Sequence, residues 1–335
     1  MSKLQKLLAL PLSLGLFPRA VFRPSAYQKR ECANPLGVSK TLPSCFSVLS
    51  WNIQYGASRK YHFFYDNGPD VHAEADVVDH TLQEISLFLQ DNPADIIALQ
   101  EVDRNAKRSA YRDQLRHIRD QLQHFSSAHA TYFRSPFVPI PTQNPLGKVH
   151  TDLCTLGSAH LKSAKRHQLA LLQESSIRKA FNLKRAILET EYYTPKGRIF
   201  VANTHLSAFS FNDGTLTKQI QQLEEWIQSR PQNSLWIVMG DFNLLPLNDD
   251  PERLLTPHHY TPKNENPLRH MIPKYQNVFR DDINNRSYLP FGHARADRKI
   301  DYIFYSRGLE VEESKVFSTI HCSDHLPLFA RFRIL

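Results

Sequence analysis

From Cys45 to the C-terminus the chain alternates short apolar runs with amphipathic stretches, a pattern that confines it to a sheet-and-helix domain. Phe46-Ser47-Val48-Leu49-Ser50-Trp51 alternates as a strand does, and Asp95-Ile96-Ile97-Ala98-Leu99-Gln100 reads as a buried strand behind the breaker Asn92-Pro93. Between them Val78, Leu82, Ile85 and Leu89 recur at helical spacing, which predicts a helix with one apolar stripe. Residues 181–191 and 198–203 read as a hairpin turned at Thr194-Pro195-Lys196-Gly197. Leu216, Ile220, Leu223 and Ile227 form a second helical stripe ended near Pro231, and residues 235–239, 300–305 and 328–332 supply three more strands.

The length of 335 residues fits one large domain or two smaller ones. No fixed-period repeat or low-complexity tract interrupts the pattern, which argues against disorder or a solenoid. We expect one domain over residues 45–335, preceded by residues 1–44 as an apolar segment and a polar, Pro-containing linker. In that segment Lys3 and Lys6 precede an apolar run over residues 7–17, interrupted by Pro11, Ser13 and Gly15. The run resembles a secretory signal and is too short to cross a bilayer comfortably, and Pro18-Arg19-Ala20 is a poor cleavage site. Export or peripheral membrane attachment is favoured over a cytoplasmic location. The formal charge of +8 favours encounters with polyanions, whether nucleic acid, phosphoinositides or anionic membranes. Four scattered cysteines show neither zinc-site spacing nor the density of a disulfide scaffold.

Polar residues gather where the strands end, the place where loops carry function on a rigid frame. The segments are Trp51-Asn52, Gln100-Glu101-Val102-Asp103, Asn203-Thr204-His205-Leu206, Gly240-Asp241-Phe242-Asn243 and Ser323-Asp324-His325, with Asp301 set inside the apolar strand Lys299-Ile300-Asp301-Tyr302. Each has a plain reading when taken alone. Glu101 would be a solvated carboxylate, Asp241-Phe242-Asn243 an Asx-turn, His205 a structural histidine and Asp301 a buried acid held by a backbone donor.

Together, in this order, they resemble the endonuclease/exonuclease/phosphatase superfamily from about Phe46 onward, most specifically at Gly240-Asp241-Phe242-Asn243 and Ser323-Asp324-His325. The resemblance implies an α/β fold, a four-layer α-β-β-α sandwich of two mostly antiparallel sheets packed face to face with helices outside. It implies a metal-dependent hydrolase that cleaves a phosphodiester by in-line attack of water. Such chemistry needs charge neutralisation, a positioned nucleophile and a proton acceptor. On the same resemblance Glu101, Asn52 and Asp324 hold Mg²⁺ or Mn²⁺, for which hard oxygen donors are suited. Asp241 and Asn243 orient the water and a non-bridging oxygen, His205 contacts the phosphate, and His325 is the general base with Asp301 fixing its ring. His205 and Asn243 are thus also the substrate-binding residues.

Two departures bear on substrate. Gln54 stands where several nucleases of the superfamily carry an acid, and the mid-chain segment Leu156-Gly157-Ser158-Ala159-His160 lacks the expected cation; either Lys162 or Lys165 substitutes or, the favoured reading, the segment is only structural. Three segments are candidates for selecting substrate. Residues 60–65 are an aromatic cluster that either meets substrate or packs in the core, residues 134–150 a Pro-containing loop expected to wall the cleft, and Arg295, Arg298 and Lys299 either a basic approach to Asp301 or a solvated charged face. The expected partner is a phosphodiester, in nucleic acid or a phospholipid headgroup, with possible peripheral membrane contact and no protein partner. The alternatives are a phosphomonoesterase on a soluble phosphate ester and a non-catalytic binding module on the same fold.

Overall fold

The alternating stretches form strands, and the two apolar stripes lie on helices that cover them. The computed structural model describes residues 22–175, 182–208, 213–280 and 282–335. Its elements run β1 (Tyr27–Arg30), β2 (Cys45–Asn52), α1 (Ala75–Asp91), β3 (Ile96–Asp103), α2 (Gln114–Gln121), β4 (Ser126–Val138), β5 (Gly147–Gly157), β6 (Ser163–Gln168), β7 (Ala186–Thr194) and β8 (Gly197–His205). They continue through α3 (Thr215–Gln228), β9 (Leu235–Asp241), β10 (Gln276–Asn277), β11 (Asp301–Tyr305), β12 (Leu309–Val316) and β13 (Leu328–Ile334). The apolar run at residues 7–17 and the start of the strand expected at 181 lie outside the described residues.

Two sheets result, ordered β1-β6-β7-β8-β9-β11-β10 and β12-β13-β2-β3-β5-β4. Val48, Ile96, Ala98 and Phe332 of the second sheet pack against Leu188, Val201, Ile237 and Met239 of the first, forming the central core. Leu49, Ile97 and Leu99 point the other way onto Ile85 and Leu89 of α1 and Ile118 of α2. Ala202, Val238 and Phe304 likewise face Leu216, Ile220 and Leu223 of α3. The period-2 alternation of each strand therefore produces the four-layer α-β-β-α sandwich.

Each sheet carries one parallel pair, β2 with β3 and β8 with β9, and the other pairs are antiparallel. A parallel neighbour requires a crossover, which α1 and α3 provide. The C-terminal ends of β2, β3, β8 and β9 thereby lie at one edge of the sandwich. Between the sheets, buried Gln100 donates to Asn203 Oδ1 at 2.8 Å, while Asn203 Nδ2 donates to the Leu99 and Cys154 carbonyls at 3.0 and 2.9 Å. These amides tie the two sheets together directly beneath that edge.

Two segments differ from expectation. Within residues 23–44, read as a linker, Tyr27–Arg30 pairs antiparallel with β6, because the open edge of that sheet accepts another strand. Residues 134–150, read as a loop, are mostly strand. Register pairs join Arg134 to His150 and Ser135 to Val149, with shifts that absorb the irregular sequence and leave only the 139–146 connection.

Candidate active site

Local backbone geometry aims the side chains at the open edge. In β3 the register with β5 shifts between Leu99 and Val102, and Glu101 sits inside that shift with φ 59°. A bulge of this kind re-aims a side chain, turning Glu101 toward the cleft while Leu99 and Val102 both stay in the helix-side core. At the end of β9 Gly240 has φ 143°, and a Cβ there would lie 1.9 Å from the Thr204 carbonyl oxygen. Only glycine lets β9 run this close to β8, which sets Asp241 beside His205.

The catalytic candidates meet around Asp241. His325 Nδ1 is 2.9 Å from Asp301 Oδ2, and its Nε2 faces Asp241 Oδ2 at 3.6 Å. His205 Nε2 lies 3.2 Å from that same oxygen, and Asn52 Nδ2 donates to it at 3.1 Å. The Asn243 backbone N–H donates to Asp241 Oδ1 at 2.9 Å. The backbone of His325 is held by the Trp51 indole, which donates to its carbonyl, and by Ser323, whose Oγ accepts from its N–H and donates to the Asn52 carbonyl. Tyr288 packs edge-on to the imidazole, with centroids 5.1 Å apart.

Charge in this buried group is unbalanced. Burial raises Asp241 to about 7, opposed by His325 and assisted by Asp301. Burial also raises Asp324 to about 7, with Glu101, Asp66 and Asp301 adding to the effect against His325. Burial alone would lower His325, yet the Asp301 and Asp241 carboxylates hold it well above its ordinary value. His205 is held well below its ordinary value by burial and by the positive charge of Arg185, so its ring is neutral.

The donors suited to a hard cation are Glu101, Asp324 and the Asn52 amide oxygen. Burial first, and then the neighbouring Glu101, Asp66 and Asp301 carboxylates, raise Asp324; a divalent ion would relieve that local negative charge, and the residues present fit such an ion. Asp241, Asp301 and His325 also bring three possible ligand atoms within 4.8 Å of one another. Asp301 Oδ2, however, already accepts from Ser287 at 2.6 Å and pairs with His325, an arrangement that orients an imidazole.

All eight residues singled out in the sequence thus lie at this edge, and the departures acquire a place. Gln54 is buried, and its Oε1 accepts from the Asp324 N–H at 3.3 Å, so a neutral amide braces the Asp324 backbone. The aromatic cluster divides. Phe63 is buried against Tyr55, whereas His62 stacks on Phe291 with centroids 4.6 Å apart and lines a small cleft with Arg59, Tyr65, Tyr288 and Asp324. Lys162 is exposed over Tyr193, and Lys165 pairs with Glu189, so neither reaches the site. Arg298 is committed to Asp297 and Tyr260, and buried Lys299 donates to the Arg280 carbonyl, leaving only Arg295 exposed of the three basic residues expected near Asp301.

Three site residues carried no sequence signal. Ser287 is one serine in a polar stretch, and Tyr132, whose ring lies 5.8 Å from that of His205, one aromatic in a long strand. Arg185 is one of several basic residues before β7, distinguished only by being last before an apolar strand. A sequence model of the Endonuclease/Exonuclease/phosphatase family matches residues 49–325. The chain belongs to that family. Among solved structures it is similar to an endonuclease/exonuclease/phosphatase of Beutenbergia cavernae, at 18% identity and TM-score 0.60, over 87% of this chain and 72% of that one. A family protein of Leptotrichia buccalis gives 17% identity and TM-score 0.58, over 86% and 99%. The human Nocturnin catalytic domain with bound sulfate gives 16% and 0.54, over 91% and 98%. No curated protein matches the sequence. The family as a whole comprises metal-dependent hydrolases of phosphoric esters, and these structures carry its sandwich fold.

Proposed function

We propose that this family member is a phosphodiesterase in which His325 takes the proton from an attacking water. The observation that carries this reading is the buried chain Asp301–His325–Asp241, with contacts of 2.9 and 3.6 Å, set at the edge where the strand ends meet. Asp301 accepts from Nδ1–H, which leaves Nε2 facing the reaction centre as the basic nitrogen. Asp241, braced by Asn52 and the Asn243 N–H, and the Asn243 side chain orient the water and a non-bridging oxygen. Neutral His205 lies beside the phosphoryl group and the leaving oxygen. Glu101, Asn52 and Asp324 would hold Mg²⁺ or Mn²⁺, which neutralises charge on the phosphoryl oxygens.

The test is a substrate panel with the full-length protein and Mg²⁺ or Mn²⁺: plasmid DNA, RNA, sphingomyelin vesicles, a soluble inositol phosphate and bis(4-nitrophenyl) phosphate. Hydrolysis of a diester supports the reading and the natural classes rank the substrate. Turnover of the monoester alone makes the protein a phosphomonoesterase, and turnover of none with metal bound makes it a binding module. The leader-like residues 7–17 support export or membrane attachment as a further part of the proposal. Among the described residues no helix is long and apolar enough to cross a membrane.

A further inference from the structure

Arg185 lies one residue before β7, beside the end of β8 that carries His205. Its side chain is buried, at 7% exposure, and among the described residues Nη1 has no hydrogen-bond partner. Its guanidinium carbon sits 5.2 Å from the ring centroid of Tyr132, which in turn packs 5.8 Å from the His205 ring. A stack on one phenol ring satisfies none of the N–H groups that burial has taken from water. Burial lowers its pKa, while Tyr132, Glu101 and Asp241 pull it back up, and among the described residues no carboxylate forms an ion pair with it.

Other arginines around the cleft are engaged through at least part of the guanidinium, although Arg59 Nε is also buried without a partner. Arg108 is held by Asp103 in a two-toothed pair at 2.8 and 2.9 Å, and by Thr151. Arg59 donates to the Pro290 and His293 carbonyls, and Arg298 grips Asp297. A second orphan lies next to Arg185. His205 Nδ1 is buried without a hydrogen bond, 3.8 Å from Glu101 Oε1. The buried, unpartnered N–H donor of the Arg185 guanidinium marks a place shaped for an acceptor-rich anion.

We propose that Arg185 is a substrate-contacting residue whose guanidinium grips the non-bridging oxygens of the phosphoryl group. This rests on the phosphoester reading of the site and fills the cationic role for which the middle of the sequence offered no residue. A fork of N–H donors fixes the orientation of a phosphoryl group as well as its charge.

The experiment compares wild-type protein with Arg185→Met and Arg185→Lys. It measures binding of inorganic phosphate by calorimetry, binding of Mn²⁺ by electron paramagnetic resonance, thermal melting, and turnover of bis(4-nitrophenyl) phosphate. Arg185→Met is expected to weaken phosphate about tenfold or more and lower kcat/KM about 100-fold, as for loss of a charged clamp. Mn²⁺ affinity should be unchanged or tighter, because a neighbouring positive charge has been removed. Arg185→Lys should fall between, retaining charge without the fork. Should Arg185→Met not fold, the lysine variant decides, with phosphate weakened severalfold at unchanged Mn²⁺ affinity supporting the assignment. Phosphate affinity within twofold of wild type in a folded variant overturns it, as does a loss matched by equal losses of Mn²⁺ binding and melting temperature. If wild type binds phosphate through Arg185 yet hydrolyses no ester, the enzymatic reading fails and this one stands. If wild type hydrolyses a diester and Arg185→Met is fully active, the reverse holds.

Discussion

Asp301 works on His325 only because other groups fix Asp301 first. Ser287 Oγ donates to Asp301 Oδ2 at 2.6 Å and accepts from the Ile300 and Asp301 N–H groups, so the carboxylate has one orientation. Ser287→Ala is expected to lower kcat about tenfold with little change in KM, the usual scale for losing an outer-shell partner. Steady-state kinetics on any diester that is turned over checks this, and an unchanged kcat would show that Asp301 holds itself. His325→Ala removes the base and should cost about 10²- to 10⁴-fold in kcat, with a melting curve close to wild type because Ser287 still satisfies Asp301. Glu101→Gln keeps the shape and removes a charge from the donor set. The metal concentration for half-maximal activity should rise about tenfold or more, read from an Mg²⁺ titration.

Among the elements, β7 bears the heaviest electrostatic burden away from the site. Glu189 is fully buried on this strand and accepts from His167, Trp226 and Arg230 at 2.9, 2.8 and 3.0 Å, with Lys165 at 2.9 Å. These contacts tie β6, β7 and the end of α3 together. Burial alone would raise this carboxyl, but the His167 and Lys165 contacts lead a set that lowers it to about 2. A depressed folded pKa gives stability that is full above the ordinary carboxylate range and lost as pH falls from about 4.5 to about 2. Glu189→Gln should therefore destabilise the protein by about 3 kcal/mol at neutral pH, since it leaves the half-buried Lys165 and Arg230 cations without their buried carboxylate. The deficit should shrink in acid, as denaturant melts at pH 7 and pH 3 would show; an equal deficit at both would mean that packing alone is lost.

For the whole molecule, two sheets must meet in one register for the site to exist, and the Gln100–Asn203 amide bridge sets that register just below Asn52, Glu101, His205 and Asp241. The assembled site concentrates carboxylates that resist ionisation, Asp241 and Asp324 both at about 7. Carboxyls raised in the folded state bind more protons there than in the unfolded chain. Stability without metal should therefore fall as pH rises from the ordinary carboxylate range toward 7. A divalent ion binding the folded state offsets this loss. The rise in melting temperature on adding Mg²⁺ should be larger at pH 8 than at pH 5.5, measured by calorimetry with a chelator control. An equal rise at both would separate the ion from these carboxylates.

The sequence alone determined the local matters: which runs are strands, which stripes are helices, and which carboxylates, amides and imidazoles end strands. Such properties follow from periodicity and from short motifs such as Gly240-Asp241-Phe242-Asn243, where a left-handed φ and a close backbone approach demand glycine. Tertiary structure decided the rest. That β2 lies beside β3 and β8 beside β9 depends on pairings across long stretches of chain, and the turn of Glu101 into the cleft depends on a bulge against β5. Arg185, Tyr132 and Ser287 come from three distant segments and carry no local mark. Their importance comes from what surrounds them: a ring, two carboxylates and an orphaned nitrogen that only the packed sandwich brings within reach.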